Sequence, residues 1–203
     1  MRADLDVKGL MDRSALLVID MQHDFLDPDA PYPCKDTEEV ISNVALVTDR
    51  LRARGVPVIY TREVHRRDGV DRGREADGEP LHCIEGTRGM EIVPQVSPRD
   101  GDYVIDKRRF SCFFQTDLLG LLKGLGTELI LITGGTANAC ALCTVIDAYQ
   151  HDYHTITIQD CIFSKAGTLN DENFRDLMGL YRFYSNPMPL KEFLGRLEDR
   201  SNG

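Results

Sequence analysis

Cys140 stands where an apolar run, Leu129-Ile130-Leu131-Ile132, gives way through Gly134-Gly135 to residues at helical spacing, Leu142, Val145, Ile146 and Tyr149. The glycines make the turn, Asn138 occupies the expected N-cap, and Cys140 falls in the first helical turn. A thiol placed there feels the positive end of the helix dipole, which favours thiolate and lowers the ordinary pKa of about 8.5. The chemistry this predicts is nucleophilic attack by sulfur. Two further reactive side chains also stand at strand ends: Asp20 closes the apolar run 15–19, and Lys107 follows the short strand 103–106. Taken singly, an Asp after a strand is a turn residue, a Lys is solvated and a Cys is a small core hydrophobe. Three such residues at three strand ends argue for a shared site.

The elements that position them alternate in type. Residues 15–19 read as a strand buried on both faces. Asp36 and Glu39 have the form of a capping box, followed by Val40, Val44, Val47 and Leu51 on one helical face up to Gly55. Strands follow at 56–61, 103–106, 128–133 and 154–159, and helices at 116–123, 170–183 and 189–197. Residues 62–90 are mostly charged and form a long excursion, of the kind that serves as a lid or binding loop. Alternating strands and helices predict an α/β fold: an open, mostly parallel sheet with helices on both faces. Ligands in such sheets lie beyond the carboxyl ends of the strands, where Asp20, Lys107 and Cys140 can converge.

Composition narrows the function. A chain of 203 residues with 42% hydrophobic content is expected to form a single domain over 1–203. A net charge of -9 argues against a nucleic-acid surface. There is no apolar run of membrane-spanning length, and residues 1–6 lack the apolar segment of a signal peptide, so a cytoplasmic protein without a membrane partner is expected. Six scattered cysteines do not form a secreted disulfide framework and are expected to be reduced.

Three segments in order resemble the isochorismatase-like cysteine hydrolases, which include nicotinamidases, N-carbamoylsarcosine amidases and ureidoacrylate amidohydrolases. They are Leu16-Leu17-Val18-Ile19-Asp20-Met21-Gln22, Lys107-Arg108-Arg109-Phe110-Ser111-Cys112-Phe113, and Gly134 through Cys140 with Thr144 and Asp147-Ala148. The resemblance spans about residues 14–165 and implies a three-layer Rossmann-like fold. It implies a catalytic triad of Asp20, Lys107 and Cys140. It also implies an oxyanion hole from the backbone N–H groups of Thr136 and Cys140, after a cis bond between Gly135 and Thr136. Relatives often form dimers or tetramers, so a homo-oligomer is expected. Two departures stand out: Ala137 where many relatives carry Thr, and Cys143 where many carry Ala or another small residue.

The expected activity is cofactor-independent hydrolysis of a small amide, ureide or N-carbamoyl substrate through a thioester, with release of ammonia. Vinyl ether hydrolysis of the isochorismatase kind is the alternative within the fold, but those enzymes replace the nucleophilic cysteine. A thiol redox protein using the Cys140-Ala-Leu-Cys143 pair is the other alternative, and it leaves Asp20 and Lys107 unexplained. Thr61-Arg62-Glu63-Val64-His65 is similar to the Asp-x-His segment with which nicotinamidases bind a divalent ion. The acid here is Glu63, the second His expected shortly downstream is missing, and His82 is the nearby candidate, so a metal-free site with no cofactor is expected. Phe25, Phe110 and Arg109 are the candidate substrate contacts, the Arg as a carboxylate clamp.

Overall fold

The computed structural model describes residues 7–198, with side chains from Gly9 onward. The signal-peptide expectation therefore falls on residues outside the described ones. Six strands form one parallel sheet: β1 (Ser14–Ile19), β2 (Val58–Glu63), β3 (Tyr103–Lys107), β4 (Leu129–Gly135), β5 (His154–Phe163) and β6 (Asn186–Met188). Their spatial order is β3-β2-β1-β4-β5-β6. The order reverses between β1 and β4, and such switch points are where open α/β sheets place their ligands. Among the described residues, the helices of seven residues or more are α1 (Thr37–Arg52), α2 (Leu118–Gly124), α3 (Cys140–Gln150), α4 (Asp171–Tyr181) and α5 (Leu190–Glu198).

Successive side chains of a strand point to opposite faces, so the unbroken apolar runs feed two cores at once. On one face Leu16, Val18, Leu129 and Leu131 pack with Val40, Val44, Val47 and Leu51 of α1 and with Phe193 and Leu197 of α5. On the other, Ala15, Leu17, Ile19, Ile130 and Ile132 pack with Leu118 and Leu122 of α2, Ala141 and Val145 of α3, and Met178 and Tyr181 of α4. The three-layer α/β architecture expected from the alternation is the observed one. Among the described residues, no helix is long and apolar enough to cross a membrane.

Several boundaries differ from the expectations, each for a local reason. Strand β2 runs to Glu63 because Arg62 and Glu63 remain in register with Asp106 and Lys107 of β3. Strand β5 continues through Asp160 to Phe163, resuming its pairing with Gly134 and Gly135 after a register shift. The short strand β6, only three residues long, has no periodicity to reveal it. Helix α1 begins after Asp36 as expected, but Asp36 lies at φ 56° and caps no N–H with its side chain, so the capping box does not form. Asn138 does not cap α3 either; the preceding residue is Ala139, with no side-chain cap bond.

Candidate active site

The register of the sheet sets the site. In the parallel pairing, Ile19 stands beside both Thr61 and Gly134, and Glu63 stands beside Lys107. The carboxyl ends of β1, β2, β3 and β4 therefore deliver Asp20, Glu63, Lys107 and the Gly134-Gly135 turn to one region. Gly134 has φ 90°, and a Cβ on it would overlap the Ile19 carbonyl, so only glycine lets β4 pass β1 this closely. The Gly135–Thr136 bond is cis, as the resemblance implied. Beyond it, Ala137 N donates to Phe163 O at 2.8 Å and Ala141 N to Thr136 O at 3.1 Å, which ties the turn to β5 and to α3. Helix α3 then starts at Cys140, whose N–H lies in the first turn, where no intrahelical acceptor exists.

The three side chains expected to act together do meet. Lys107 Nζ lies 2.7 Å from Asp20 Oδ2 and 3.4 Å from Cys140 Sγ. All three residues are buried, with Cys140 the most accessible at 4%. Thr61 Oγ1 donates to the other Asp20 oxygen at 2.7 Å. The loop after Lys107 is pinned to α3 by Ser111 Oγ donating to Asp147 Oδ2 at 2.5 Å and by Cys112 N donating to Thr144 Oγ1 at 3.0 Å. Thr144 and Asp147, named above among the residues that carry the resemblance, thus act as fasteners between the lysine loop and the cysteine helix.

Glu63 is a fourth member that sequence reasoning missed. Its Oε2 lies 3.2 Å from Lys107 Nζ and accepts from Cys140 Sγ at 3.5 Å. The rule that found Asp20, an acid at a strand end, applies equally to Glu63; ending β2 two residues early hid it. The proton affinities of the two carboxylates are shifted in opposite directions. Burial raises the Asp20 pKa more than Lys107 lowers it, with Glu63 adding to the rise. Burial opposes the Glu63 charge too, but Lys107, His65 and His82 outweigh it and hold the carboxyl well below its ordinary range. Lys107 stays firmly protonated, since Asp20, Cys140 and Glu63 outweigh its burial. Burial holds the Cys140 thiol well above its ordinary value, with Lys107 opposing and the two carboxylates reinforcing the rise. The thiol pKa expected to be lowered at the helix N-terminus is instead raised, with desolvation of the sulfur as the largest cause.

The charged excursion keeps many of its residues exposed but buries two of its histidines against Glu63. His65 and His82 are buried, and their Nε2 atoms lie 3.2 Å and 2.9 Å from Glu63 Oε1. Glu75 Oε1 lies 3.3 Å and 3.5 Å from the same two nitrogens, yet it is buried without a well-aligned hydrogen bond. His82 Nδ1 donates to Pro80 O at 2.8 Å, which turns Nε2 toward the carboxylates. The ligand atoms of Glu63, His65, Glu75 and His82 all lie within 4.8 Å of one another, and two imidazoles with two carboxylates fit a divalent ion of the zinc class. The absence of a second nearby histidine, the ground for expecting a metal-free site, is thus made good by His82 through the fold. Asp20, Glu63 and Cys140 form a second compact group, already served by the Lys107 ammonium.

The expected substrate contacts separate. Phe25 is buried between Tyr32, His82 and Phe163, with ring centroids at 5.5, 5.3 and 6.3 Å. Tyr32 donates toward Glu79 Oε1 at 3.4 Å and belongs to the same wall. Phe110 lines two surface cavities beside Arg109, one of about 590 Å³ with Arg72, Glu75 and Glu79, the other of about 320 Å³ with Phe114, Cys143 and Ile146. Arg109 Nη1 is engaged with Asp71 O and Arg108 O, both at 2.5 Å, so that nitrogen braces the excursion. Cys143 faces the 320 Å³ cavity, whereas Cys140 points into the sheet-end cluster.

Residues 14–182 match the Isochorismatase domain family. The chain is similar to a probable inactive nicotinamidase of Arabidopsis thaliana, 34% identical over 82% of this chain and 89% of the relative. It is similar to N-carbamoylsarcosine amidase of an Arthrobacter species, 29% identical over 83% of this chain and 66% of that protein. Among solved structures, an isochorismatase-like hydrolase from Alkaliphilus metalliredigens superposes with a TM-score of 0.82 at 29% identity, covering 91% of this chain and 98% of the other. By its fold, its cysteine turn and these matches, the chain belongs to the isochorismatase-like hydrolase family.

Proposed function

We propose that this protein is a cysteine amidohydrolase acting on a small amide, ureide or N-carbamoyl compound, with Cys140 as nucleophile. The observation that carries the reading is the placement of one ammonium, Lys107, against both Asp20 and Cys140 in a buried cluster. An exposure of only 4% at Cys140 suits a small substrate rather than a polymer.

The raised proton affinity of Asp20 suits it to both halves of the reaction. Asp20 takes the thiol proton as sulfur attacks the carbonyl carbon, and Lys107 offsets the negative charge carried first by the Asp20 carboxylate and then by sulfur before it passes to the carbonyl oxygen. The backbone N–H groups of Thr136 and Cys140 receive the developing oxyanion. Collapse breaks the C–N bond, Asp20 returns the proton to the leaving nitrogen, and a thioester remains on Cys140. Water, losing a proton to Asp20, attacks the thioester carbon; the C–S bond breaks and the thiol is regenerated with its proton from Asp20. The products are ammonia or an amine and an acid. Glu63, His65, Glu75 and His82 would hold a divalent cation, which when bound supplies Lewis acidity beside the site; the steps above use the protein's own groups.

Vinyl ether hydrolysis would leave Cys140 without a task, and a redox role would leave Asp20 and Lys107 without one. The test is ammonia release from a panel of nicotinamide, carbamoyl and ureide substrates by the parent and by Cys140→Ala. The expected result is turnover of at least one substrate by the parent and loss of that turnover in the variant. Full hydrolytic activity in Cys140→Ala would overturn the reading.

A further inference from the structure

The two carboxylates at the site are built alike. Asp20 Oδ2 is ion-paired with Lys107 Nζ at 2.7 Å, and its Oδ1 accepts from Thr61 Oγ1 at 2.7 Å. Glu63 gives Oε2 to the same Nζ at 3.2 Å and has Oε1 tied down by His82 Nε2 at 2.9 Å and His65 Nε2 at 3.2 Å. Each anion thus has one oxygen on the ammonium and the other on a fixed, buried partner. Glu63 is also the in-register neighbour of Lys107 across β2 and β3, so the pairing is imposed by the sheet and not by a mobile loop. The lysine side chain is long and flexible, and a single carboxylate would leave it free to pivot. Two anchored carboxylates together with Cys140 Sγ at 3.4 Å fix where the ammonium sits.

We propose that Glu63 is a positioning residue which, through its Oε2, holds Lys107 between Asp20 and Cys140, so that the working cluster is a tetrad. The kinetic part of this inference rests on the amidohydrolase reading; the pairing itself does not. Glu63 uses Oε2 toward Lys107 and Oε1 toward the histidines, so a cation bound among Glu63, His65, Glu75 and His82 would engage the opposite side of the carboxylate.

The test is a double-mutant cycle of Glu63→Gln with Lys107→Met, read by urea unfolding, alongside kcat and KM for Glu63→Gln. The near-isosteric Gln preserves volume, so a purely structural role would cost the same in both backgrounds. The expected result is a loss of at least about tenfold in the folded-to-unfolded ratio with Lys107 present and under about threefold in the Lys107→Met background. On a turned-over substrate, kcat falls roughly 10- to 100-fold while KM stays within about threefold, and chelation of the parent leaves its kcat intact. Equal losses in both backgrounds, an unchanged kcat, or reproduction of the kcat loss by chelating the parent would each overturn the proposal. Should Glu63→Gln fail to fold, Glu63→Asp replaces it in every arm, keeping the charge but withdrawing the carboxylate by one methylene. If no substrate of the panel is turned over, the amidohydrolase reading falls, and the unfolding cycle alone decides the pairing.

Discussion

Lys107 Nζ lies 3.4 Å from Cys140 Sγ, although the two residues are 33 positions apart, one at the end of β3 and the other at the start of α3. That contact sets the sign of the first prediction. Lys107→Met removes the one cation that opposes the upward shift of the thiol, so both Cys140→Ala and Lys107→Met are expected to lower kcat/KM by at least about a thousandfold. Amide turnover by each purified variant checks this, with circular dichroism confirming the fold of Cys140→Ala.

Thr61→Val removes the donor that holds Asp20 Oδ1 and leaves a buried carboxylate oxygen without its partner. The expected cost is about 1–3 kcal/mol of stability, together with a fall in kcat as Asp20 loses its orientation. Denaturant unfolding and steady-state kinetics on the same preparation measure the two effects.

Gly134→Ala is expected to be far more damaging than its one added methyl suggests. The position has φ 90°, and the new Cβ would overlap the backbone of β1 at Ile19. Since β1 and β4 are the central pair of the sheet, neither can retreat without disturbing both cores. The expected outcome is a loss of more than about 4 kcal/mol or failure to accumulate folded protein, against ~1 kcal/mol for a typical substitution. Thermal unfolding of Gly134→Ala beside Gly124→Ala, where nothing lies within 4 Å of an added Cβ, provides the comparison.

The buried thiols predict an alkaline weakness. Burial pushes Cys112 from 9.0 up to about 11. Its folded pKa exceeds the unfolded one, so its contribution is fully present below about pH 9 and is lost as pH rises toward 11. The expected loss from this thiol is about 2–3 kcal/mol across that window, and Cys112→Ala should show a correspondingly shallower fall of stability with pH. Urea unfolding at intervals from pH 8 to about pH 11 reads the difference.

The raised Cys140 thiol also revises how the nucleophile should behave toward reagents. The free protein at neutral pH is expected to react slowly with iodoacetamide, with substrate turnover nonetheless dependent on this sulfur. A slow label and a cysteine-dependent hydrolysis are compatible, because Asp20 can take the proton during attack and not before it.

The sequence by itself determined the α/β architecture, since apolar runs with two buried faces alternate with amphipathic helices and leave few other ways to bury both. It also located Asp20, Lys107 and Cys140, because each follows a strand whose pattern is strong. Local contacts decided what it could not supply: Asp36 and Asn138 have the composition of caps, yet neither side chain makes the bond. Only the tertiary structure revealed Glu63 as a neighbour of Lys107 and Cys140, because a strand end read two residues early puts an acid in a loop. Only the packed excursion brought His65, Glu75 and His82 together around it. The stretch that opened the question, from Gly134 to Cys140, keeps its role in the turn and the nucleophile. The ionisation of that nucleophile, however, is set by burial and by Lys107, Asp20 and Glu63 from the ends of three strands, and such long-range electrostatics are not written in any local pattern.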